Sequence, residues 1–231
     1  MSGIIKNINA VRKRIQGVMT EKRLSSPPPL LLTISKTRTA EELLQAHQAG
    51  LQDFGENYLQ EALGKIDALQ EYELVWHFTG PIQSNKTRLV AEHFSWVHTV
   101  DRVKIARRLS EQRPAGMDAL QVCIQVNIDH EDSKSGVLAQ ELSSMVDEIS
   151  ALPNINLRGL MALPKAGVSL SERQASFAKL ADLLTSLQLT YPMMDTLSMG
   201  MSDDFELAVA QGATIVRIGS AIFGPRTKNM D

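Results

Sequence analysis

A single cysteine, Cys123, stands in 231 residues, so the chain cannot close an internal disulfide and suits a reducing compartment. It lies in the apolar run Val122-Cys123-Ile124, where a thiol acts as a small core hydrophobe. No run of about 18 apolar residues occurs, so no helical membrane span is expected. A basic excess is missing as well. Lys+Arg number 24 against 26 Asp+Glu, giving net charge −2, whereas nucleic-acid-binding domains usually carry a basic face. The five histidines (47, 77, 93, 98, 130) show neither HExxH nor Cys/His spacing, so no metal is expected. GxGxxG, Walker and GxSxG sequences are absent too.

What is present is apolar material in short pieces. Hydrophobic residues make up 43% of the chain, ample for a core, and the length fits one domain over 1–231. The N-terminus is basic, with Lys6, Arg12, Lys13 and Arg14 before the first acid, Glu21, and superficially resembles a presequence. Ile4, Ile8, Val11, Ile15 and Val18 nevertheless recur on one helical face, which predicts a first helix packed on the fold of a cytoplasmic protein.

Pro27-Pro28-Pro29 cannot continue that helix, and from there strand and helix signals alternate. Strands are expected at 30–35, 51–54, 75–79, 95–100, 120–128, 157–163, 195–198 and 214–218. Between them come helices: from Thr39, which can cap, to Gly50; over 58–69; from Ser84 to His93; and over 102–112, 137–151, 171–189 and 203–211. Alternation implies a parallel sheet, and eight units in this length imply a closed (β/α)8 TIM barrel, a fold of roughly 250 residues. No linker or repeat divides it.

In such barrels ligands collect over the carboxyl ends of the strands. The first strand, Leu30 to Ser35, ends in Lys36, and an amine desolvated there can lose its proton near neutral pH and condense with an aldehyde. The loops after strands seven and eight often hold a phosphate. Here they read Met199-Gly200-Met201-Ser202 and Gly219-Ser220-Ala221-Ile222-Phe223-Gly224. Gly219 permits close backbone approach, and Ser220 offers a hydroxyl where amides face an anion. Ser202 could add a second hydroxyl or merely cap the next helix, while Asp203 and Asp204 should point away from a phosphate. Arg217 alternates with Ile218 and faces the barrel interior, where it either pairs with a core carboxylate or meets a ligand. His77 shares a face with Val75 and Thr79, opposite Trp76 and Phe78. That places it inside near the mouth, as a satisfied core histidine or a ligand contact. Asn57 ends strand two in a similar position. A strand-end lysine with a phosphate loop also fits a Schiff-base aldolase.

The segments Ser35-Lys36-Thr37, Phe54-Gly55-Glu56-Asn57-Tyr58, Trp76-His77-Phe78 and Gly80-Pro81-Ile82-Gln83-Ser84-Asn85-Lys86 resemble the pyridoxal-phosphate homeostasis proteins (YggS/PROSC type). So do Ser133-Lys134-Ser135-Gly136, Arg158-Gly159-Leu160-Met161, residues 195–202 and residues 217–224. The similarity runs along nearly the whole chain. It implies a barrel like the N-terminal domain of alanine racemase, with pyridoxal 5'-phosphate as an internal aldimine on Lys36. Arg217 then matches the partner of the pyridine nitrogen, Gly219 and Ser220 the phosphate contacts, and Ser202, Asn57 and His77 further cofactor contacts. An arginine at that nitrogen disfavours its protonation and blunts the ring as an electron sink. The implied role is to keep cofactor, amino-acid and keto-acid pools in balance, without established turnover, with pyridoxal-phosphate-dependent apo-enzymes as partners. The rim has no obvious apolar patch, so a monomer is expected. The alternative is an amino-acid racemase or decarboxylase. A racemase of this fold takes its second base from a C-terminal β domain, for which the chain leaves no room. Ser220 stands where threonine is expected, and Arg38-Thr39 where Lys-Pro is common.

Overall fold

The structure, a computed structural model, describes residues 3–131 and 134–225. Eight strands form where the short branched runs predict them: β1 (Leu30–Ile34), β2 (Asp53–Glu56), β3 (Val75–Phe78), β4 (Trp96–Val100), β5 (Leu120–Val126), β6 (Ile155–Ala162), β7 (Thr196–Ser198) and β8 (Ile215–Ile218). Each pairs in parallel with the next, and β8 returns to β1 in the register Leu30↔Ile215 and Leu32↔Arg217, closing a barrel.

A helix follows every strand: α2 (Ala40–Gln48), α3 (Leu59–Ala68), α4 (Thr87–His93), α5 (Val103–Gln112), α6 (Leu142–Ser150), α7 (Leu170–Gln188), α8 (Phe205–Ala210) and α9 (Ser220–Phe223). Before them runs α1 (Gly3–Glu21), whose buried stripe Ile8, Val11, Ile15 and Met19 packs over α8 and α9. Asn7 donates to the Ile222 carbonyl (2.8 Å), and Arg14 pairs with Glu206 (2.8 Å), fastening the helix across the β8 side. Thr39 and Glu42 form a reciprocal capping box at the start of α2, and Ser169 and Glu172 do the same for α7.

Two expected helices begin later than the pattern suggests. Ser84 does not cap α4, which starts at Thr87; the Ser84 carbonyl instead accepts from the Thr87 hydroxyl (3.0 Å). The helix expected from 137 gives way to a 3-10 turn, Ala139–Glu141, before α6. Val137 is used otherwise, exchanging backbone hydrogen bonds with Gln125 and Asn127 and extending the edge of β5.

The strand alternation sorts two kinds of interior. Side chains such as Phe54, Trp76, Phe78 and Val97 face the helices and join the main apolar core. Inside the barrel lie Leu32 and Cys123, but also the polar groups His77, His98, Ser198 and Arg217, all buried. Burial pushes the Cys123 thiol up to about 12, so it packs as a neutral hydrophobe. Among the described residues no helix is long and apolar enough to cross a membrane, and no group of His, Cys, Asp and Glu could hold a metal ion.

Candidate functional site at the carboxyl mouth of the barrel

The carboxyl ends of the strands open onto a cavity of about 470 Å³. Lys36, Asn57, Ser202, Arg217, Gly219 and Ser220 all line it, although the first and last stand far apart in sequence.

Lys36 follows β1 after one intervening residue, Ser35, and the backbone on either side of it is pinned from the helix face. The next residue, Thr37, adopts φ +63°, an uncommon conformation for a β-branched residue. Its amide donates to Glu61 Oε1 (2.5 Å). On the other side, Lys65 Nζ from α3 donates to the Ser35 carbonyl (2.7 Å). That ammonium also meets Glu56 Oε1 (2.7 Å) and Glu61 Oε1 (2.6 Å), while the Ser35 hydroxyl donates to Glu56 (2.6 Å). Burial raises the Glu56 carboxyl above its ordinary value, with Lys65 opposing the shift, and Glu56 Oε2 has no hydrogen-bond partner.

Arg217 rises from β8 into the barrel and forms the inner wall of the cavity. Nη1 donates to the Ser198 carbonyl (2.5 Å) and hydroxyl (2.9 Å), and Nη2 to the Ala162 carbonyl (2.9 Å). These partners replace the core carboxylate that the simpler sequence reading supplies. Burial brings the guanidinium down to about 10, still cationic at neutral pH.

The loops after β7 and β8 meet above it. A Cβ on Gly219 would lie 3.1 Å from the Ile34 carbonyl oxygen, so the bare backbone lets the end of β8 approach the end of β1, beside Lys36. The Ser202 hydroxyl accepts from the Ala221 amide (3.2 Å), so it caps α9 rather than α8. Asp204 points away as expected, accepting from the Met201 amide (2.6 Å) and pairing with Arg173 (3.4 Å). Asp203 does not; it lines the cavity. Asn57 Oδ1 accepts from the Thr79 hydroxyl (3.1 Å), which orients the amide at the rim.

His77 is inside the barrel but not at the mouth, and the cavity does not include it. Its Nε2 meets Asp53 Oδ1 (3.0 Å) at the opposite end, its Nδ1 meets His98 Nε2 (2.9 Å), and Trp96 stacks on the ring (5.5 Å between centroids). Both nitrogens are satisfied within the core, which corrects the placement near the mouth.

The cavity also gathers residues that sequence reasoning gave no role. Arg38 Nη2 donates to the carbonyls of Gly224 (2.6 Å) and Pro225 (3.1 Å), tying the β1 loop to the chain after α9. Lys134 Nζ donates to the carbonyls of Pro164 (2.9 Å) and Leu163 (3.2 Å) and pairs with Glu131 (2.6 Å). Its membership of the Ser133-Lys134-Ser135-Gly136 block was the available signal; Ser133 itself lies outside the described residues. Thr79 and Met161 complete much of the wall, and no tyrosine lines it.

The profile of the family described as alanine racemase, N-terminal domain, matches residues 7–227. The Pseudomonas aeruginosa pyridoxal phosphate homeostasis protein is 54% identical over 226 residues, covering 98% of this chain and 97% of that one. The Escherichia coli protein of the same name is 49% identical over 230 residues, covering 98% of each. Among solved structures, PipY of Synechococcus elongatus with PLP bound superposes with TM-score 0.80 at 36% identity, over 91% of this chain and all of that one. Alanine racemase of Clostridium difficile shares the fold alone, at TM-score 0.72 and 12% identity, with 59% of its length covered. With the profile matched almost end to end and relatives about half identical over nearly their full length, the chain belongs to the alanine racemase N-terminal domain family, together with the pyridoxal phosphate homeostasis proteins.

Proposed function

We propose that this chain, as one domain over 1–231, binds pyridoxal 5'-phosphate and serves the intracellular homeostasis of that cofactor. The observation that carries the reading is the meeting in one cavity of Lys36, from the end of β1, with Arg217 and with Ser202, Gly219 and Ser220 from the opposite end of the chain. The donor set fits the group. A primary amine suits the aldehyde, hydroxyls beside a bare glycine backbone suit the phosphate, and a guanidinium suits an unprotonated ring nitrogen. A cavity of about 470 Å³ lies within the range of about 300–1,000 Å³ usual for small-ligand sites. The PLP-bound PipY structure and the names of the close relatives support the same reading.

When bound, the group supplies an electrophilic aldehyde and an electron-withdrawing ring. Lys36 would hold the aldehyde end of the group. Ser202, Gly219 and Ser220 would hold the phosphate, and Asn57 would close the rim. Arg217 can donate to the ring nitrogen but has no proton acceptor, so it favours the unprotonated ring and a weak electron sink. Storage and delivery follow more naturally from such a site than turnover. The chain therefore acts as a cytoplasmic, monomeric carrier or regulator that passes cofactor to apo-enzymes and affects amino-acid and keto-acid pools.

The test is the absorbance of purified protein supplied with cofactor, beside a Lys36→Ala variant. The wild type gains a band near the violet edge that borohydride abolishes, leaving the label on the Lys36 peptide. The variant folds, by circular dichroism, but carries no reducible label. A label of equal yield in the variant refutes the assignment of Lys36. Robust racemisation of alanine by the wild type favours the racemase reading over the carrier.

A further inference from the structure

The middle of a (β/α)8 barrel is ordinarily filled by branched aliphatic side chains. In this one, a line of polar groups crosses it from end to end. Asp53 opens the line at the amino mouth, where it borders a cavity of about 510 Å³ between α1 and the start of β1. Asp53 Oδ1 lies 3.0 Å from His77 Nε2, and His77 Nδ1 lies 2.9 Å from His98 Nε2. His98 Nδ1 lies 2.7 Å from the Ser198 hydroxyl, which accepts from Arg217 Nη1 at 2.9 Å. Five strands contribute one residue each: β2, β3, β4, β7 and β8.

Proton positions in this line are not free. A carboxylate can only accept, so His77 carries its proton on Nε2. Burial lowers the affinity of both rings for a second proton, so His77 and His98 are neutral. A neutral His77 with Nε2–H must accept at Nδ1, which places the His98 proton on Nε2. His98 Nδ1 then accepts, and the Ser198 hydroxyl is its donor. The serine's lone pairs are thereby turned to Arg217, which has donors alone. The guanidinium end is compatible with that direction, since Ser198 can accept from Arg217 while donating to His98.

We propose that Asp53, His77, His98 and Ser198 are positioning residues forming a one-way hydrogen-bond train that fixes Arg217 and couples the cofactor-side guanidinium to the opposite mouth of the barrel. The proposal rests on the reading of the carboxyl mouth as a cofactor site, with Arg217 facing the ring. It gives His77 a part in that site without contact, and it explains why a buried pair of imidazoles occupies space that aliphatic side chains would fill at less cost.

The experiment is nitrogen-15 NMR of the full chain without cofactor, followed by absorbance after pyridoxal 5'-phosphate is added. In the wild type both imidazoles show a protonated Nε2 and an unprotonated Nδ1. Asp53→Leu removes the terminal acceptor at a partly exposed rim position. It shifts the His77 ring resonances, the Arg217 guanidinium resonances and the band of bound cofactor. Asp53→Asn, which keeps an acceptor oxygen, restores the wild-type tautomers and moves Arg217 less. A protonated Nδ1 on either ring of the wild type overturns the proposal. So does an Asp53→Leu protein in which His77 changes while Arg217 stays where it was. If no cofactor binds, the function proposed above falls, and the guanidinium resonances still decide whether the train reaches Arg217.

Discussion

Replacing Lys65 with methionine would isolate a buried charge immediately behind the site lysine. Lys65 is 6% exposed and Glu56 not at all, so solvent does little to screen their 2.7 Å contact. Removing one partner of such a pair typically costs about 3–5 kcal/mol, because the other is left buried and unpaired. For a chain of this size each kcal/mol lowers Tm by about 2–4 °C, so the loss should be about 6–20 °C. The upper part of that range should not be reached, because Ser35 still donates to Glu56 and the Glu56 carboxyl already tends to take up a proton. That tendency sets the pH dependence. A carboxyl whose folded pKa is raised by burial holds its proton better folded than unfolded, so stability falls as pH rises through that value. The deficit of Lys65→Met should therefore widen from mildly acidic to neutral pH. Adding Glu56→Leu should recover most of it, since apolar replacement of a whole buried pair is often neutral or better. Urea denaturation of the wild type and the two variants at two pH values is the assay. A Lys65→Met cost below about 1 kcal/mol, typical of exposed pairs, would refute the reasoning. The same variant releases the Ser35 carbonyl, so it should also lower the yield of borohydride-fixed cofactor on Lys36.

Gly80→Ala should cost about 3 kcal/mol or more in denaturant unfolding, because the added Cβ would sit 2.0 Å from the Asn57 carbonyl oxygen and backbone must move. Thr39→Ala removes the cap of α2 and should cost about 1 kcal/mol by the same measurement; no loss would mean that the capping box contributes nothing. Acid should destabilise the fold through the barrel histidines. His77 and His98 have folded values below the ordinary 6.5, so their contribution is present above about pH 6.5 and is lost as pH falls and the unfolded chain protonates. Two such protons give a slope of at most about 2.7 kcal/mol per pH unit, partly opposed by Glu56, and a His77→Gln/His98→Gln double variant should flatten it.

The barrel was legible because its elements carry their signals locally. Short apolar runs, several of them closed by glycine or proline as at Gly55, Gly80, Pro164 and Gly219, are readable without knowledge of their neighbours. The errors fall where a distant backbone competes with the local pattern. Val137 has the apolar spacing of a helix start, yet hydrogen bonds to Gln125 and Asn127 hold it against β5, and the helix waits until Leu142. Ser84 has the right chemistry to cap, but it sits inside a hydrogen-bonded turn, Lys86 amide to Gln83 carbonyl, and the helix starts only at Thr87.

The site shows a sharper limit. Strand alternation states which face of the sheet a residue occupies, and it placed both Arg217 and His77 inside the barrel. It does not state depth. Depth depends on how each strand is staggered against the others, and that register is set by pairing between segments remote in sequence. His77 pairs in register with Gly55, one residue before the end of β2, and looks from the alternation as close to the mouth as Asn57. The difference is that its ring finds Asp53 and His98 before it finds the cavity. Lys36 escaped the ambiguity because it lies just past the end of its strand, beyond Ile34 and Ser35, and so can only be at the mouth. Residues at strand ends can therefore be assigned to a barrel's mouth from one sequence, whereas polar residues one pleat deeper cannot. They face the same direction, and their hydrogen bonds go to neighbouring side chains rather than to the cavity, as those of His77 go to His98 and Asp53.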